Sequence, residues 1–101
     1  MLHQKVYSDA IQTFGVDHQM TMLVEECSEV IKAVTKLQRA KVSGLTNNQL
    51  ILDLLEEMTD VEIVIQQFRL LFDPNTEKTF EFREFKLQRL RQIIVEKNSA
   101  K

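Results

Sequence analysis

Turn-forming residues are scarce in this chain. Two glycines and one proline in 101 residues leave few places for tight turns, so the elements between them must be long, and such a composition favours helices. A single cysteine, Cys27, excludes an internal disulfide and fits a reducing compartment. No excess of positive charge is present: the formal net charge is −2, which removes the electrostatic case for a nucleic-acid polymer as partner. No apolar run approaches the roughly 20 residues of a membrane span. The first residues, Met1-Leu2-His3-Gln4-Lys5, lack the charged start and apolar core of a signal peptide. These absences lead to an expectation of a cytoplasmic protein that engages neither membrane nor nucleic acid. The length suits one domain over residues 1–101.

Four helical segments can be drawn. The first runs from about His3 to Phe14, with Val6, Tyr7, Ala10, Ile11 and Phe14 at helical spacing and Gly15 as its stop. The second starts near Asp17, a good N-cap, and continues to about Val42, where Ser43-Gly44-Leu45 breaks it. Thr46 can cap the third, with Gln49 three residues on as in a capping box. That segment reaches Phe72 and stops at Asp73-Pro74, because proline cannot continue a helix. The last begins at Asn75 or Thr76 and runs to about Lys97. In the third segment Ile51, Leu54, Met58, Val61, Ile65, Phe68 and Phe72 alternate steps of three and four, the spacing of a bundle seam. A thinner stripe of Leu52, Ile63 and Leu70 lies opposite. A helix apolar on two sides is buried on two sides. The expected architecture is therefore an all-α four-helix bundle completed by oligomerisation, as a homodimer or homotetramer.

Carboxylates interrupt the apolar stripes. The segments Glu25-Glu26-Cys27-Ser28-Glu29 and Glu56-Glu57-Met58-Thr59-Asp60 each place one acid within a stripe and another three residues later. At 100° per residue, Glu26 falls among Met22, Val30, Ala33 and Leu37, with Glu29 at the stripe's edge. Glu25 lies outside it, with Lys32 and Lys36. Glu57 falls among Leu50, Val61, Val64 and Phe68, flanked by Asp53 and Asp60. Antiparallel packing would let Glu26, Glu29, Glu57 and Asp60 converge. Four carboxylates that close cannot all stay ionised unaided, so some keep protons or a divalent cation binds. Oxygen ligands alone select Mg²⁺, or Mn²⁺, over zinc. A di-iron bundle would carry Glu-x-x-His on two helices, and neither His3 nor His18 sits in such a motif. On the last segment Lys86 falls on the stripe of Phe82, Leu90 and Ile93, with Arg89 at its edge. A lysine there points to a bound polyphosphate shared with the metal.

These residues resemble the MazG-like all-α nucleoside triphosphate pyrophosphohydrolases. The family motif is Glu-Glu-x-x-Glu, a variable gap, then Glu-x-x-Asp. Here it reads Glu25-Glu26-Cys27-Ser28-Glu29 and Glu57-Met58-Thr59-Asp60, with 27 residues between. Helix number and order match as well, so the resemblance spans nearly the whole chain. It implies hydrolysis of a nucleoside triphosphate between its α and β phosphates, to monophosphate and pyrophosphate, in nucleotide-pool cleansing or supply. It implies Mg²⁺ held by Glu26, Glu29, Glu57 and Asp60, with Glu25 serving a second metal or the attacking water. It further implies Lys86 and Arg89 on the leaving pyrophosphate and Gln19, beside Phe14-Gly15, facing the base.

Other readings stay open on the sequence alone. The acids could be a solvated charged face, and Lys86 and Arg89 could be snorkelling surface side chains. Cys27, Met20, Met22 and Met58 read as core fillers, and His18 as exposed. Within the same fold the substrate could instead be phosphoribosyl-ATP. Outside enzymes, the seam could serve only dimerisation.

Overall fold

The computed structural model describes residues 2–43 and 47–100. Among them the chain is all-helical, with α1 over Leu2–Phe14, α2 over Val16–Val42, α3 over Asn48–Phe72 and α4 over Glu77–Ser99. The sparse turn residues mark the breaks. Gly15 ends α1, its N–H bonding the Ile11 carbonyl at 2.8 Å, and is at once the N-cap of α2. It takes φ 89° and ψ 156°, a backbone region open essentially to glycine alone. Asp17, expected as the cap of α2, is instead inside its first turn, where its charge complements the helix dipole. Thr46, expected to cap α3, lies outside the described residues. The N-cap of α3 is Asn47, whose side chain accepts the Gln49 N–H at 2.9 Å.

α2 and α3 form an antiparallel pair, and α1 lies mainly on α3 with a lesser contact to α2. One row of cross-helix neighbours sets the register. Gln19 of α2 meets Gln67 of α3, Glu26 meets Glu57 and Asp60, and Glu29 to Lys36 run past Asp53 and Leu50. The inner side of α2 is the expected one, through Met22, Glu26, Val30, Ala33 and Leu37. On α3 the inner row is Leu50, Leu54, Glu57, Val61, Val64 and Phe68, whereas Ile51, Met58 and Phe72 of the expected seam are exposed. Met20 and Cys27, read as core residues, are exposed too, since α2 turns that side away from α3.

The resulting core is thin. Among the described residues Ala33 and Val64 are the buried apolar ones, and no large side chain is fully enclosed. α4 does not close a four-helix bundle within one chain: it leaves the end of α3, packs extensively on none of the other helices, and is exposed along its length apart from the half-buried Thr79. The radius of gyration is 17.5 Å, against about 13 Å for a compact chain of this length. No helix among the described residues is long and apolar enough to cross a membrane.

Candidate metal centre

α2 and α3 bring three carboxylates together. One oxygen each from Glu26, Glu57 and Asp60 lies within 4.8 Å of the others. Glu26 reaches this point because it occupies a core position of α2, while Glu57 and Asp60 are one turn apart on α3 and share a face. All three are half-buried. None is among the ion pairs of the described residues.

Crowding acts on their protonation. The Glu26 carboxyl is raised above its ordinary value, first by loss of water and then by the charges of Asp60, Glu57, Glu29 and Glu25. Glu57 is raised in the same sense, by loss of water and by Asp60, Glu29, Glu56 and Asp53. Both groups therefore resist ionisation as the chain stands. A donor set of three oxygens with no nitrogen or sulfur fits a hard divalent cation such as Mg²⁺ or Mn²⁺.

The remaining site residues expected from the sequence fall into four places. Glu29 is exposed at the edge of the group and holds Lys32 at 3.1 Å. Glu25 is exposed, outside the three-carboxylate set. Gln19 is buried two turns from Glu26. Its amide donates to Gln67 Oε1 at 2.7 Å, and its oxygen lies 2.8 Å from His18 Nδ1, so it joins the helices. Lys86 and Arg89 lie on exposed α4, which this chain does not lay against the acids.

The cations that do lie beside the acids were not singled out from the sequence. Lys32 and Lys36 line a cavity of about 140 Å³ together with Glu29, Asp53 and Glu57. A helical projection puts both lysines on the polar flank of α2. Their long side chains let them line the cavity from there, a reach that a projection of Cα positions omits. Comparison with family models, with curated proteins and with solved structures gives no match to this chain.

Proposed function

We propose that the protein is a Mg²⁺-dependent nucleoside triphosphate pyrophosphohydrolase with a MazG-like bundle, working as a homodimer or homotetramer. The observation that carries this reading is the convergence of Glu26, Glu57 and Asp60 from two antiparallel helices, on the motif spacing that the sequence resembles. Glu26, Glu57 and Asp60 would hold the ion, with Glu29 at the edge. When bound, Mg²⁺ supplies neutralising charge for the phosphates and lowers the pKa of a coordinated water.

The chain's own groups account for the rest. With these carboxylates ionised around the ion, a free oxygen of the group would be placed to accept a proton from an attacking water. The water oxygen bonds to phosphorus, the α–β bridging oxygen departs with pyrophosphate, and the water proton passes to the carboxylate. Lys32 and Lys36 border the acids and are suited to bind phosphate oxygens as point charges. Lys86 and Arg89 could take part only from another copy's α4. Support for an oligomer comes from the accessible surface, 8401 Å², where a compact monomer of this mass exposes about 5,900 Å².

The test is incubation with Mg²⁺ and a panel of ribo- and deoxyribonucleoside triphosphates, with Glu57→Gln as control. Monophosphate plus pyrophosphate, reduced by at least about 100-fold in the variant, is the expected result. Diphosphate plus phosphate would overturn the bond assignment. Full activity in Glu57→Gln would overturn the site.

A further inference from the structure

A polyphosphate brought to the acids of the metal centre adds negative charge where carboxylates already crowd. Beyond the ion, cations must stand at the same place to offset it. In this chain those cations come from α2. Lys32 and Lys36 line a cavity of about 140 Å³ with Glu29, Asp53 and Glu57. The cavity reaches Leu50 near the start of α3, so it opens away from the Gln19–Gln67 end of the seam. α4, which carries Lys86 and Arg89, is not laid against the acids of its own chain.

Size and charge both suit this cavity to phosphates. Its volume lies below the roughly 300 Å³ at which small-molecule pockets begin, so it admits one end of a nucleotide and not the whole. Its carboxylates are engaged. Glu57 belongs to the metal centre, Glu29 pairs with Lys32 at 3.1 Å, and Asp53 accepts from the Gln49 amide at 2.9 Å. Lys36 is in none of the ion pairs of the described residues. It stands four residues after Lys32, and that spacing puts both on one face of α2. Side chains on a helix lean towards its N-terminus. From both lysines that is the direction of Glu29 and Glu26.

We infer, on the pyrophosphohydrolase reading of the site, that Lys32 and Lys36 hold the leaving pyrophosphate within the same chain, so that no cation from another copy's α4 is needed for it. Each ammonium donates to phosphate oxygens, and the charge that collects on pyrophosphate as the α–β bond breaks strengthens those bonds. Calorimetric titration of the full chain with pyrophosphate in Mg²⁺ tests the site without turnover. Wild type should bind. Lys32→Gln and Lys36→Gln, both at exposed positions of α2, should each weaken binding by about tenfold or more. Lys41→Gln removes the same charge from the exposed end of α2 and should bind as wild type does. Subunit mixing tests which chain supplies the lysine. Glu57→Gln mixed with Lys36→Gln should turn over no more triphosphate than the two apart, because no chain then holds both residues intact. Regained activity would put acid and lysine on different chains and overturn the inference. Wild type that binds no pyrophosphate would overturn it too, as would losses in Lys86→Gln and Arg89→Gln with none in Lys32→Gln or Lys36→Gln. Triphosphate hydrolysis unaltered in both lysine variants would remove the lysines' role and leave the hydrolase standing. Lysine-dependent pyrophosphate binding in a wild type that hydrolyses no triphosphate would remove the hydrolase and leave the lysine site standing.

Discussion

At the scale of single residues, one glycine and two pairs of side chains carry the clearest consequences. Gly15 has φ 89° with open space where a Cβ would stand, so a substitution there meets backbone strain and no clash. Gly15→Ala should destabilise the chain by about 1–3 kcal/mol, read as a lowered urea midpoint with an unchanged slope. Gln19 and Gln67 form the buried amide pair between α2 and α3. Gln19→Ala strands its partner, and the expected loss is about 1–3 kcal/mol, whereas Gln19→Leu with Gln67→Leu should recover part of it. Glu26 and Glu57 set a pH dependence. Both hold their protons above the ordinary value of 4.5, so the folded state binds more protons than the unfolded one in that range. Metal-free stability from these groups is highest below about 4.5 and falls as pH rises through their raised values. Mg²⁺ held there, as proposed, would favour the ionised forms. Its effect on the melting temperature should therefore be large at neutral pH and fade towards pH 4.5, and an equal rise at both pH values would remove the carboxylates as its ligands.

At the scale of elements, the helices themselves were legible in the sequence, and so was the end that a proline decides. The cap of α3 was expected at Thr46, whereas Asn47 provides it; the stop at Asp73-Pro74 follows from local chemistry. The start of α4 does not. Thr76 is its N-cap by position, yet makes no capping bond and sits at φ 61°, left-handed and unusual for a β-branched residue. Its hydroxyl donates instead to the Asn75 carbonyl at 2.6 Å. The capping is done from outside by Asp73, which accepts from Lys78 and Thr79. Those bonds, from the Thr79 side chain and backbone first, hold the Asp73 carboxyl below its ordinary value, with Arg69 adding to the effect. A cap supplied from five and six residues away has no counterpart in rules that look three residues ahead. Thr76→Asn, better suited to the left-handed region, should stabilise by about 1 kcal/mol. Asp73→Asn should loosen the first turn of α4, seen as faster amide exchange at Lys78 and Thr79. Because the Asp73 pKa is lowered, its contribution is present above 3.8 and is lost as pH falls through the folded value. In the acid site, Glu26, Glu57 and Asp60 were legible as acids at core spacing. Lys32 and Lys36 were not, because their placement beside the acids depends on side-chain reach.

At the scale of the whole molecule, one chain exposes more apolar surface than an isolated domain tolerates. Leu52 and Ile63 of the second stripe of α3 are open, and so are Phe80, Phe82, Phe85, Leu87, Leu90, Ile93 and Ile94 of α4. The surface of 8401 Å² exceeds that of a compact monomer by about 2,500 Å². Covered by an identical patch on a partner, that excess would exceed the 2,000 Å² at which obligate homodimer interfaces begin. Sedimentation at micromolar concentration should give a dimer or tetramer, and the melting temperature should rise with protein concentration. Leu87→Glu with Ile94→Glu should shift the species to monomer and lower the melting temperature, since each places a charge where the partner's apolar surface must close. A wild-type monomer that melts cooperatively at a concentration-independent temperature would mean that α2, α3 and α1 hold the fold alone. The thin core around Ala33 and Val64 makes that outcome unexpected, because so little apolar surface is withdrawn from water within one chain.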